Sequence, residues 1–188
     1  MKLISKLTAC FALLAALTLT SCEKEKLELN VVQANGVSLT LVPEGGGETK
    51  TFTISTPYTD EAGNVFGELK SEDIVLEANT TYNATIVYFS DKTGTRLDQN
   101  ESIKKEDHIY TLKYVTGQSS NPDMRTDLAV VATDKKANGS PLGLQATVTT
   151  GKAGVEFLNI ELNAFKSKGK SSMGGSVFNA SFFVIVQD

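Results

Sequence analysis

Apolar and polar residues alternate one by one along most of this chain. Val37, Leu39 and Leu41 are separated by Ser38 and Thr40. Side chains of an extended strand point to opposite faces in turn, so such a run predicts a strand with one buried face. Pro43-Glu44-Gly45-Gly46-Gly47 then turns the chain, and Phe52 and Ile54 follow in a Thr-rich partner, which predicts a hairpin. Tyr82, Ala84, Ile86 and Tyr88 alternate next; Val87 and Phe89 on the opposite face predict a strand covered on both sides. Asp91-Lys92-Thr93-Gly94 is a turn. Further alternating runs are His108, Tyr110, Leu112 and Tyr114; Leu128, Val130 and Ala132; Leu158, Ile160 and Leu162; and Phe178, Ala180, Phe182, Val184 and Val186. The tight-turn dipeptide Asn138-Gly139 precedes Leu142, Leu144, Ala146 and Val148, the cleanest half-buried strand. No helix is predicted, and residues 57–73 and 117–126 read as loops. About nine short strands with regularly spaced turns predict an all-β fold, a single β-sandwich with Ig-like or Greek-key connections, with a closed barrel as the alternative.

The first residues follow another rule. Lys2 and Lys6 precede an uncharged apolar stretch from Leu7 to Leu19. That is too short to cross a bilayer, which takes about 20 residues, and it has the length of a signal-peptide core. It ends in Leu19-Thr20-Ser21-Cys22, which resembles the bacterial lipobox. The resemblance implies cleavage before Cys22, diacylglycerol on its thiol and an acyl group on the new amine. Two or three acyl chains bury enough methylenes, at about 0.8 kcal/mol each, to hold a soluble domain on a membrane. The expected organisation is a signal peptide over 1–21, lipidated Cys22 and a flexible tether over 22–35, and the sandwich over 36–188. Glu23-Lys24-Glu25-Lys26 suits such a tether.

Composition narrows the partners. Cleavage would remove two lysines and no acid, so Lys+Arg falls from 18 to 16 against 22 Asp+Glu, a net charge of −6. That disfavours nucleic acid, which requires clustered cations; only Lys104-Lys105 and the Lys166/Lys168/Lys170 loop are locally basic. Cys10 leaves with the signal and Cys22 is consumed by lipid, so no thiol remains for a disulfide, catalysis or metal.

Three stretches carry a wider resemblance: Leu76-Glu77-Ala78-Asn79-Thr80-Thr81-Tyr82, Asn138-Gly139-Ser140-Pro141-Leu142-Gly143-Leu144 and Thr147-Val148-Thr149-Thr150-Gly151. Over about Gly36 to Gln187 the chain resembles a family of small Bacteroidota outer-membrane lipoproteins labelled "type 1 periplasmic binding fold superfamily protein". That label implies a two-lobed α/β receptor, whereas the strand pattern and the length imply one all-β body. The resemblance further implies an accessory of a TonB-dependent outer-membrane receptor. Acidic residues after the lipidated cysteine resemble a signal for export to the cell surface rather than retention at the periplasmic leaflet. Two departures stand out. Relatives carry an Asp-x-Asp-x-Asn-Gly run resembling a calcium loop where this chain has Asp134 to Gly139, and Lys136 replaces the middle acid, leaving only Asp134 and Asn138 as side-chain oxygen donors. Relatives also carry a histidine where this chain reads Asn163-Ala164-Phe165.

Candidate chemistry is sparse. His108 is the single histidine and follows Glu106-Asp107, carboxylates that would favour its charged form. With Asp107 and Tyr110 it forms the candidate ligand-binding group, and Asp134 with Asn138 the candidate metal group. A Ser-His-Asp set would need Ser119, Ser120 or Ser140, yet no Gly-x-Ser-x-Gly elbow is present. Glu68, Asp73, Asp98 and Glu101 lie in expected loops without forming a pair fit for glycoside hydrolysis. Met124 and Met173 are possible soft ligands beside His108. Tyr58, Phe66, Tyr88, Phe89, Tyr110 and Tyr114 are candidates to line a ligand surface. No enzymatic activity and no cofactor are expected. The expected function is a lipid-anchored outer-membrane or cell-surface binding module; a structural or adhesive envelope subunit is the first alternative and a hydrolase the second.

Overall fold

The computed structural model describes residues 31–118, 121–165 and 175–188, and of Gln118 the backbone only. The signal segment, Cys22, most of the expected tether, Ser119, Ser120, and the Lys166/Lys168/Lys170 loop with Met173 lie outside the described residues.

Thirteen strands form among the described residues: β1 (Gly36–Pro43), β2 (Lys50–Ser55), β3 (Tyr58–Thr59), β4 (Val65–Phe66), β5 (Lys70–Ser71), β6 (Ile74–Glu77), β7 (Thr81–Ser90), β8 (Leu97–Asp98), β9 (Tyr110–Gln118), β10 (Ala129–Ala132), β11 (Gln145–Thr149), β12 (Gly154–Ala164) and β13 (Gly175–Gln187). The first sheet runs β10-β11-β7-β1-β2-β5, with β8 on the end of β7; the second runs β6-β13-β12-β9. β3 and β4 pair only with each other. Both sheets are open, which settles the choice between sandwich and closed barrel in favour of the sandwich.

The alternation sets the layers. Val37, Leu39 and Leu41 of β1 and Tyr82, Ala84, Ile86 and Tyr88 of β7 are buried, as are Leu158, Ile160 and Leu162 of β12 and Phe182, Val184 and Val186 of β13. The Tyr88 ring meets Phe178 of β13 edge-on, centroids 6.5 Å apart, across the sandwich. Burying a side chain of this size contributes about 1.5–3 kcal/mol, so these two facing rows are the main source of stability. The long β12–β13 ladder slips by one residue at Leu162/Asn163, a bulge that bends the pair near its loop end. β13 is bonded on both sides by its own chain, antiparallel to β12 and parallel to β6.

The structure corrects several expectations. A helix exists: α1 (Asn100–Lys105), with Ile103 fully buried. Asp98, one residue before the Gln99 N-cap, accepts the Asn100 N–H at 2.7 Å on its carboxylate, an Asx-type turn leading into the helix. Asn100 is buried because its amide fills a gap on the edge of β7, accepting the Tyr88 N–H at 3.1 Å and donating to the Ile86 carbonyl at 2.7 Å. A short 3₁₀ turn also covers Pro122–Met124. The strand count exceeds about nine because short ladders form inside the supposed 57–73 loop, and because β6 is recruited as a parallel partner of β13. His108 lies before β9 rather than in it, and Leu142 and Leu144, though buried, precede β11. Gly143 between them has φ +98°, a left-handed conformation that breaks the strand there. Val32 and Asn35, assigned to the tether, are buried, and the Val32 N–H donates to the Tyr110 hydroxyl at 2.8 Å.

Candidate functional site

The residues singled out by sequence are not brought together as one site. Tyr110 is 0% exposed; its hydroxyl is spent on Val32, and burial pushes that hydroxyl's pKa up. Asp107 accepts the Ala137 N–H at 2.6 Å and so ties one turn to another. His108 is half exposed, with its Nδ1 3.8 Å from a Glu106 carboxylate oxygen. Asp107 and Tyr110 are thus its neighbours in sequence, with their side chains committed to Ala137 and Val32.

The turn matched to a calcium loop is held by its own bonds. Both Asp134 carboxylate oxygens accept backbone N–H groups, from Gly143 at 2.8 Å and Leu144 at 3.0 Å. The Asn138 side-chain oxygen accepts the Ser140 N–H at 3.0 Å and its hydroxyl at 2.6 Å, so Ser140 donates to Asn138 rather than to an imidazole. Lys136 reaches across to donate to the Tyr110 carbonyl, and burial lowers its pKa. The lysine in the middle acidic position is thus a strut between this hairpin and β9. Among the described residues no group of three or more His, Cys, Asp or Glu is placed to hold a metal. Three of the four loop acids have visible roles: Glu101 pairs with Lys104 at 2.9 Å, Asp98 accepts the Asn100 N–H at the start of α1, and Glu68 lines the cleft described next. Met124 lies exposed in its turn, and Phe165 follows β12 with its N–H on the Ile109 carbonyl.

A concavity lined by described residues lies elsewhere, on the outer face of the first sheet. It has a volume of about 360 Å³, at the small end for a small-molecule site. Thr53 and Ser55 of β2 and Phe89 of β7 form its floor; Gly67, Glu68 and Lys70 line it from one covering segment and Asp91, Gly94 and Arg96 from another. Outward-facing residues of a sheet are ordinarily wet, yet Ser38, Thr53, Ser55 and Phe89 are buried here because those two segments cover them.

Arg96 is the centre of this arrangement. Its guanidinium lies 3.6 Å from the centroid of the Phe89 ring, a cation–π stack. One nitrogen donates to the Ser38 hydroxyl at 2.7 Å, and Ser38 is 3.0 Å from the Thr53 hydroxyl. The Phe89 ring lies over Gly36, whose partner it is in the β1–β7 ladder; a Cβ at Gly36 would come within 2.2 Å of the ring. Only glycine therefore lets the phenyl lie flat and carry the guanidinium.

Asn35 joins the walls. Its amide donates to the Thr56 carbonyl at 2.8 Å and accepts the Asp91 N–H at 2.7 Å, while its backbone bonds Phe89 and Thr56. Gly67 has φ +75° and faces Asp91 so closely that a Cβ would sit 3.2 Å from its carboxylate. Lys70 pairs with Glu72 at 3.0 Å, and Glu72 also accepts the Thr53 N–H at 2.6 Å. Just outside, Lys92 lies 4.3 Å over the Tyr58 ring and burial lowers its pKa. Neither Arg96 nor the Asp91 carboxylate has an ion-pair partner among the described residues.

Sequence reasoning passed over Arg96, Asp91 and Phe89 as a group. The available signal was arginine itself: the chain has only two, among 18 basic residues, and one follows the Asp91–Gly94 turn directly behind a strand with two apolar faces. These features define an all-β sandwich carrying a polar, charge-bearing cleft on the outside of one sheet. No family model, curated protein or solved structure matches the chain.

Proposed function

We propose that this chain is a binding module of the cell envelope, held by lipid on Cys22, and that the Arg96 cleft is where it engages a small ligand. One observation carries the reading. The guanidinium is fixed in orientation by Phe89 and Ser38, and its remaining donors have no acidic partner among the described residues. An arginine already ordered and still unpaired loses little entropy on meeting an acceptor, which favours binding. The lipobox residues support the anchor, and the resemblance to outer-membrane lipoproteins supports a role beside a TonB-dependent receptor, at the cell surface. No step of catalysis belongs to this reading.

The test uses full-length protein taken from its host membranes in mild detergent. Native mass spectrometry is expected to find a small-molecule adduct that Arg96→Gln loses, and affinity capture to recover a TonB-dependent receptor. Protein recovered bare of both would sink the binding role. Cys22→Ser is expected to move the protein to the soluble fraction; retention in the membrane with unchanged gel mobility would refute the anchor.

A structural envelope subunit is the second reading, favoured by Phe157 and Phe183 on the outer face of the second sheet, ring centroids 5.3 Å apart, with Phe157 half exposed. Exchange of the last strand would require β13 to leave ladders it already makes on both sides. Heat-resistant ladders on a gel would favour that reading, and monomer alone would remove it.

A further inference from the structure

We infer that the Arg96 cleft takes a small zwitterion, a free α-amino acid or dipeptide, with its carboxylate on Arg96 and its ammonium on Asp91. The inference rests on the cleft being the binding site and goes on to name the ligand's chemistry.

Four charged side chains line the cleft: Glu68, Lys70, Asp91 and Arg96. Lys70 is neutralised by Glu72, which is bound in turn to the β2 backbone. That leaves one cation and acids of opposite sign in a common concavity. Opposite charges sharing so small a space ordinarily close on one another; here Arg96 and Asp91 do not pair. The reason is in the scaffold. Arg96 is drawn onto Phe89 and Ser38, and the Asp91 backbone is pinned, its N–H on Asn35 and its carbonyl accepting the Gly94 N–H at 3.0 Å. Gly67 keeps the space beside the Asp91 carboxylate free of a side chain.

Each simpler ligand class leaves something unmet. A phosphate or dicarboxylate satisfies Arg96 but brings negative charge toward Asp91 and Glu68. A cation does the reverse. A neutral polyol would exclude water from both charges and answer neither with charge, and partly desolvated charges are costly to leave unpaired. A ligand carrying both signs a few bonds apart meets both poles at once. The planar guanidinium suits a carboxylate fork, and an ammonium donates three hydrogen bonds to carboxylates.

The experiment is calorimetric titration of the full-length lipoprotein in detergent with L-alanine, L-leucine and alanyl-alanine. N-acetyl-alanine, alaninamide, succinate and glucose form the comparison set. The expected result is binding of at least one free zwitterion, weakened about tenfold or more by blocking either end, and by Arg96→Gln or Asp91→Asn. Thermal melting of each variant checks folding. Should Arg96→Gln melt early, Arg96→Lys keeps the charge without the fork and is expected to weaken binding while holding the melting point. If N-acetyl-alanine, succinate or glucose binds as well as the zwitterions and still depends on Arg96, the zwitterion is wrong and the cleft stands. If no probe binds, or binding is indifferent to Arg96, the zwitterion inference fails; an Arg96-independent adduct on protein from the host would bring down the cleft reading as well.

Discussion

The two sheets of this sandwich present opposite outer faces. Outside the first sheet, Phe89 is 2% exposed, buried together with the hydroxyls of Ser38, Thr53 and Ser55. Outside the second, Phe157 is 50% exposed and lies beside the part-buried Phe183, Val155 and Ile185. Local sequence does not explain the contrast, since both phenylalanines sit at the outward positions of alternating strands. The difference is supplied by the connections. Residues 56–73 and 91–98 fold back over β1, β2 and the end of β7, whereas among the described residues no comparable segment covers Phe157 on β12. Covering a face turns ordinary strand hydroxyls into a third layer, and the incompleteness of that layer is the cleft.

The contrast can be broken by equivalent truncations. Phe89→Ala is expected to cost about 3–4 kcal/mol in chemical denaturation, the range for a buried aromatic that leaves a cavity. A loss under about 1 kcal/mol would mean that the cover contributes nothing. Gly36→Ala comes next. Its added Cβ meets the Phe89 ring, so about 2 kcal/mol should be lost, and Arg96 should lose its platform. Tyr88→Phe probes the layer between the faces. The Tyr88 hydroxyl is buried with no hydrogen-bond partner among the described residues, and burial pushes its pKa far up. Removing it should be neutral or stabilise by up to about 1 kcal/mol, and a loss above that would reveal a partner. The smallest effect belongs to Phe157→Ala, within about 0.5 kcal/mol for a surface side chain. If it costs as much as Phe89→Ala, the two faces are not different in kind.

How much of this could be read from sequence follows from which contacts are local. The long strands announce themselves because period-two alternation is a property of adjacent residues: Val37 to Leu41, Tyr82 to Tyr88 and Phe178 to Val186 all place their predicted face inward. The short strands do not, since two residues such as Lys70–Ser71 carry no period. α1 escaped for a related reason: six residues with one buried aliphatic, Ile103, show no helical stripe, and the buried polar Asn100 looks like a loop residue. His108, Asp134 and Asn138 drew attention by type, but Asp134 and Asn138 are spent on turn geometry. The cleft is the reverse case. Gly36, Ser38, Thr53, Gly67, Asp91 and Arg96 are unremarkable singly and acquire meaning only when the fold brings them onto one surface.

The buried amide of Asn35 has a mechanical consequence. It fastens together the start of β1, the segment after β2 and the turn after β7, and it lies three residues beyond Val32, where the chain clips to Tyr110. On the reading proposed above, a guest seated between those walls would bear on the same short stretch, Val32 to Asn35, that fastens the start of the described chain to the sandwich.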